Sequence, residues 1–170
     1  MNDGNELKHI GADEFKAAMR TVPGAVAVIT SQDKDDRNGM TATAVCSVSA
    51  DPPQILICVN ASASVRAVIE RTKHFAVNFL SAGQQQVADL FSRSKLDPAL
   101  RFEVGDWRSM VTGSPILIGA VSSLDCRVVS ETQHGSHIVI VGSVVATRSS
   151  DASPLLYHAG SYCEPVSANR

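Results

Sequence analysis

Hydrophobic positions recur along the chain with two periods, and the switches between them outline the fold. Phe15, Ala18, Met19 and Val22 follow helical spacing, which predicts a short helix over 13–21 capped by Asp13. The apolar run 25–30 predicts a buried strand, and the charged run 32–39 a turn whose side chains face water. From 40 to 49 the pattern alternates. Ala42, Ala44, Cys46 and Val48 share one face, and Thr41, Thr43, Val45, Ser47 and Ser49 the other. Such a strand turns its hydroxyls to water or to a polar ligand. Asp51-Pro52-Pro53 ends it, because proline cannot extend a ladder. A second buried strand is predicted over 55–59. Val65, Val68 and Ile69 then mark a helix that Ser62 or Ser64 can cap. Residues 75–80 read as strand, and Val87, Leu90 and Phe91 as a short helix. The stretch 92–113 reads as a partly helical connection. Strong strands over 123–131 and 138–147 flank a hairpin turn at 133–136.

Six or seven strands with two or three short helices, joined mostly by short connections, leave little room for repeated parallel crossovers. No Gly-x-Gly-x-x-Gly follows a strand. A doubly wound dinucleotide fold is therefore disfavoured, and a mainly β, mostly antiparallel barrel with helices outside it is expected.

The 170 residues show no internal repeat or long linker, so one domain over 1–170 is expected, with its core at about 12–163. A net charge of −2 argues against a general nucleic-acid binder. Cys46, Cys58, Cys126 and Cys163 form no Cys-x-x-Cys pair, which predicts buried reduced thiols rather than a metal site or disulfide scaffold. No segment has the length of a membrane span, and the polar, acidic residues 1–6 do not read as a signal peptide. The expected location is the cytoplasm.

Hydrolytic motifs, a Walker loop and clustered metal ligands are absent from the sequence. Chemistry that asks little of side chains, such as hydride transfer to a bound cofactor, fits better. The hydroxyl-rich strand and the segment Cys58-Val59-Asn60 through Ser62 and Ser64 admit two readings. One is a site for a heteroaromatic ring ending in phosphate at a helix start. The other is a Thr-rich edge strand followed by a routine cap. His137 follows Gly135-Ser136 at a strand head and reads as surface or functional, and His134 as surface. Tyr157 and Tyr162 read as core residues or as ring-stacking ones. Trp107 reads as a core or interface anchor, and Arg66–Glu70 as a solvated helix pair.

Taken in order, Gly39 to Ser49, Asp51-Pro52-Pro53, Cys58-Val59-Asn60-x-Ser62-x-Ser64, Phe75 to Ser81, Gln84 to Gln86 with Phe91, Gly135-Ser136-His137 and Leu156 to Tyr162 resemble the short-chain flavin reductases of two-component monooxygenases. The resemblance implies an antiparallel Greek-key split β-barrel with a few short peripheral helices, forming a homodimer. It implies NADH-dependent reduction of FAD (or FMN), with release to a flavin-dependent monooxygenase, expected to be an aromatic hydroxylase. By the same resemblance Thr41, Thr43, Ala44, Val45 and Ser47 would line the flavin ring. Cys58, Val59 and Asn60 would follow the ribityl chain, and Ser62 and Ser64 would take the phosphate. Phe79, Ser81, Gln85 and Phe91 would complete the pocket. Gly135 and His137 would meet the nicotinamide, with His137 the catalytic candidate, and Tyr162 would close over the rings. The chain departs from the family at Ser136, where Asp is common, and at Ala61, where many members carry a basic residue. Loss of that charge implies a loosely held flavin. A related reductase of corrinoid or ferric complexes, and a non-catalytic flavin- or haem-binding barrel, are the alternatives.

Overall fold

Seven strands build the main sheet of the computed structural model, which describes residues 9–34 and 36–166. Their spatial order is β3 (Asp36–Ala42), β2 (Ala27–Asp33), β6 (His74–Phe79), β9 (Ser122–His134), β10 (His137–Ser149), β5 (Pro53–Asn60) and β4 (Val45–Ala50), and all neighbours are antiparallel. The two edges, β3 and β4, are consecutive in the chain and separated only by Thr43 and Ala44. The sheet therefore has to coil until its edges approach at that link, which makes a split barrel. A small sheet of β1 (Gly24–Ala25), β11 (Leu156–His158) and β12 (Ser161–Cys163) and the pair β7 (Trp107–Ser109) and β8 (Pro115–Leu117) lie beside it. Helices α1 (Ala12–Arg20), α2 (Ser64–Thr72), α3 (Gln85–Ser92) and α4 (Pro98–Arg101), with a 3-10 turn (Ala82–Gln84) before α3, are the helical elements among the described residues.

The apolar run from Val26 onward is unbroken because it is covered on both faces, whereas Ala25 is exposed in β1 and the expected single strand 25–30 is divided at Val26 between β1 and β2. Ala27 and Ile29 enter one core with Ile57, Val59, Phe75 and Ile140, closed by Val65 and Ile69 of α2. Val26 and Val28 enter a second core with Leu80, Val87, Phe91 and Phe102. Each large side chain so buried contributes about 1.5–3 kcal/mol. Asn78 joins the layers. Its Oδ1 accepts from Leu117 N and Ser123 Oγ, both at 2.9 Å, while its Nδ2 donates to the Val28 and Pro115 carbonyls.

Several expectations are corrected by the tertiary structure. The alternating segment 40–49 is two strands, and its supposed buried face is open: Ala44, Cys46 and Val48 are exposed, while Val45 packs on the core. The predicted turn is much shorter, since β2 and β3 pair as far as Asp33 and Asp36, whose carboxylates accept from Arg71 of α2. Asp35 of that turn, and the residues 1–6 read for a targeting signal, lie outside the described residues. Asp13 does not cap α1, and neither serine caps α2, whose N-cap is Ala63. The Ser64 hydroxyl donates instead to Asn38 Oδ1 (3.0 Å), and the Ser62 hydroxyl to Asn60 Oδ1 (2.7 Å). Arg66 is 16 % exposed at its side chain and bridges α2 to Glu131 of β9 at 2.9 Å, so its pair with Glu70 belongs to a half-buried network. Of the four thiols only Cys126 is buried, and burial, then the Asp125 charge, push it up to about 12. The connection 92–113 holds α4, whose Asp97 cap accepts from Ala99 N, and β7. No helix among the described residues is long and apolar enough to cross a membrane.

Candidate active site

Three clefts share lining residues and form one trough along the barrel seam. The first, about 600 Å³, lies between α1 and the turn joining β11 to β12, with Phe15, Met19 and Pro23 on one wall and Thr43 and Ala44 on the other. The second, about 410 Å³, is lined by Thr41, Thr43, Asp89, Ser92, Tyr157 and Tyr162. The third, about 300 Å³, runs past Gly39, Asn60, Ser62, Ser64, Phe91 and Arg101. Thr43 and Tyr157 belong to the first two and Ser92 to the last two. These sizes are within the range that holds small ligands.

The seam produces this arrangement. Thr43 and Ala44 belong to neither edge strand, and they lie where β3 gives way to β4. Tyr157 and Tyr162 pair across β11 and β12 with ring centroids 5.4 Å apart, edge to face. Burial, then the neighbouring Asp89 carboxylate and Tyr157, push the Tyr162 phenol up to about 12, so it remains a neutral O–H donor. The Thr41 hydroxyl donates to the Ala88 carbonyl of α3 at 2.6 Å. At the far end, the start of α2 carries no side-chain cap, which leaves its first-turn N–H groups without a side-chain acceptor.

Thr41, Thr43, Ala44 and Tyr162 are thus gathered at one end, and Asn60, Ser62, Ser64 and Phe91 at the other. Val45, Ser47 and Cys58 lie on β4 and β5 next to the seam and line none of the three clefts; Cys58 N donates to the Ala44 carbonyl. The Val59 side chain is fully buried in the core, so only its backbone is available to a ligand. Phe79, Ser81 and Gln85 line none of the clefts. Phe79 packs on the core, while Ser81 and Gln84 form a reciprocal cap at the start of the 3-10 turn before α3. Gly135, with φ +58°, makes the hairpin tip, where exposed His137 pairs with Asn60 in register and its Nδ1 lies 3.0 Å from Ser136 Oγ. The Ser136 carbonyl accepts from Ala61 N, so the tip abuts the serine end of the trough.

Sequence reasoning missed Asn38, Asp89, Ser92 and Arg101. Asn38 Oδ1 accepts from Gly39 N (2.9 Å), Ser64 Oγ (3.0 Å) and Arg101 Nη1 (3.4 Å). The pattern Asp97-Pro98 could have revealed a helix start before Arg101. Nothing local signals that the arginine turns inward, because its acceptors lie up to 63 residues away.

A family model described as flavin reductase like domain matches residues 19–165. The chain is 37% identical over 148 residues to an FMN reductase (NADH) named RutF from Stutzerimonas stutzeri, covering 87% of this chain and 84% of that protein. It superposes with a TM-score of 0.84 and 28% identity on BorF, the flavin reductase component of a bacterial two-component tryptophan halogenase, over 91% of this chain and 98% of the other. It likewise superposes on the NADH:FAD oxidoreductase SgcE6 of Streptomyces globisporus C-1027, solved with NAD and FAD fragments, at TM-score 0.83 and 27% identity over 94% and 97% of the two chains.

Proposed function

Since the chain belongs to the flavin reductase-like domain family, we propose that it is an NADH-dependent flavin reductase that releases reduced flavin to a partner monooxygenase. The observation that carries this reading is the shape of the trough. A segment walled by the Tyr157–Tyr162 pair suits a planar ring, and it leads to a serine-rich end at an uncapped helix start that suits a phosphate. Bound flavin supplies the acceptor for a hydride from NADH.

The protein's part is to hold the two rings face to face and to keep them there. Thr43 and the backbone of the 43–47 segment hydrogen-bond the polar edge of the ring and offset the charge it gains, with Ser47 beside them on β4 outside the three clefts. Thr41, held by Ala88, fixes α3 against the seam, and Tyr162 covers the ring from β12. Asn60 orients Ser62 and Asn38 orients Ser64 toward the phosphate. Ser81 and Gln85 act behind the trough at the approach to α3, whose Asp89 and Ser92 face it, and Phe79 packs on the first core. His137 meets NADH from the hairpin tip. The RutF relative's name favours FMN as acceptor, and the SgcE6 relative's name favours FAD.

A single cytoplasmic domain acting as a homodimer is part of this reading. Phe15, Met19 and Val22 of the α1 region are 51–56 % exposed along the first cleft, an apolar surface that a second copy would cover. An aromatic hydroxylase remains the proposed partner. Loss of NADH absorbance, followed without flavin, with FMN and with FAD, tests the proposal. Turnover that depends on added flavin supports it, and no turnover with either flavin refutes it. His137→Ala is expected to raise the KM for NADH more than the Kd for flavin; an unchanged KM removes His137 from the site.

A further inference from the structure

The serine end of the trough contains a buried cation that no carboxylate among the described residues contacts. Arg101 is 2 % exposed yet lines the third cleft. Its Nη1 donates to the Gly39 carbonyl (2.7 Å) and Asn38 Oδ1, and its Nη2 to the carbonyls of Arg93 (3.0 Å), Ser94 (3.3 Å) and Leu96 (2.9 Å). Every one of these acceptors is neutral, its Nε has no acceptor, and no ion pair to it forms among the described residues. A buried guanidinium stays protonated, so the site carries a positive charge with no carboxylate in contact among the described residues, Asp97 at the start of α4 acting on it only through space. Asn38 Oδ1 accepts from both this guanidinium and the Ser64 hydroxyl, which ties the charge to the group facing the ligand. Position 61, on the exposed approach to the same serines, is alanine.

We propose that Arg101 is the specificity-determining residue for the flavin phosphate: a buried counter-cation that selects phosphorylated flavin over riboflavin and supplies the charge that Ala61 does not. The assignment rests on the flavin reading of the trough. The anion gains the field of a charge already desolvated in the folded chain, so little reorganisation is needed on binding. Arg101 also staples the 93–96 segment to β3, so a purely structural role has to be separated from a role in selection.

Dissociation constants for FMN and riboflavin, read from flavin fluorescence quenching, make that separation. The wild-type chain is expected to prefer FMN by roughly tenfold or more, the size of one charge-assisted contact. Arg101→Met should abolish the preference and leave riboflavin affinity intact. Arg101→Lys should keep most of it, and Ala61→Arg added to Arg101→Met should restore it. Equal loss of both flavins in Arg101→Met, or equal binding of both by the wild type, overturns the assignment. A wild type that binds neither flavin refutes the flavin reading itself. Should Arg101→Met fail to fold, Asn38→Asp keeps each acceptor contact of Asn38 Oδ1 and gives Arg101 a carboxylate. It should lower FMN affinity alone, and an unchanged FMN-to-riboflavin ratio would refute the proposal.

Discussion

Gly39 sits where the barrel edge, the second core and the serine end of the trough meet, and replacing it with alanine tests that packing directly. A Cβ there would lie 2.7 Å from the Ile29 carbonyl oxygen and 2.7 and 2.9 Å from two atoms of the Phe91 ring. The Ile29 carbonyl belongs to β2 and cannot retreat without disturbing the sheet. The Phe91 ring cannot swing freely either, with Phe102 edge-on at 4.9 Å and Trp107 at 5.3 Å. Overpacking of this kind costs about 1–3 kcal/mol, and the confined ring argues for the upper half. At about 2–4 °C per kcal/mol for a chain of this size, Gly39→Ala should lower the Tm by about 4–12 °C. Gly83→Ala is the control, because nothing lies within 4 Å of its Cβ, and it should stay within about 0.5 kcal/mol of wild type. Phe91→Leu should relieve the clash, so the double variant should be less destabilised than the sum of the singles by about 0.5–3 kcal/mol. Thermal unfolding by circular dichroism reads the wild type and all four variants. A Gly39→Ala variant that melts with wild type, or strict additivity with Phe91→Leu, would refute the packing reasoning.

Two further outcomes are expected. His74 Nδ1 lies 2.7 Å from the Ser114 hydroxyl, and burial holds its pKa below the ordinary 6.5, with Arg127 pulling the same way and Asp125 and Asp33 opposing. Between the folded value and 6.5 the unfolded chain binds a proton that the folded chain refuses. The stability contributed by neutral His74 is therefore complete above 6.5 and lost as pH falls through the folded value; urea titrations should show this slope in wild type, and a His74→Gln variant with the same slope would exclude His74 as its source. Asn78→Ala strands the Leu117 N–H and the Ser123 hydroxyl in the interior, and should cost about 2–5 kcal/mol in urea unfolding; a loss below about 1 kcal/mol would mean that water replaces the amide.

How much was legible in advance follows from the range over which each signal acts. Apolar periodicity is a local property, because successive side chains on a strand point to opposite faces whatever lies beyond. The buried run from Val26 to Thr30, the helix around Val65 and Ile69, and the hairpin turned by Gly135 could therefore be read directly, and the ordered motifs pointed to the flavin reductases. Periodicity separates two faces of a strand without saying which is covered. Cys46 and Val48 are exposed because β4 is an edge strand, and that is settled by strands distant in sequence. The trough was half legible. Thr43, Ser62, Ser64 and Tyr162 announce themselves by type and order, but their convergence depends on the coiling of the sheet about the Thr43–Ala44 link. Arg101 was invisible for the same reason: a charged residue in a surface connection reads as solvated, and only long-range packing brings it to Asn38 and Gly39. Local side-chain pattern determined most of the helices, most strands of the main sheet, and the family. Contacts across tens of residues, which alone decide what excludes water, determined which faces are buried and where the charge of the site resides.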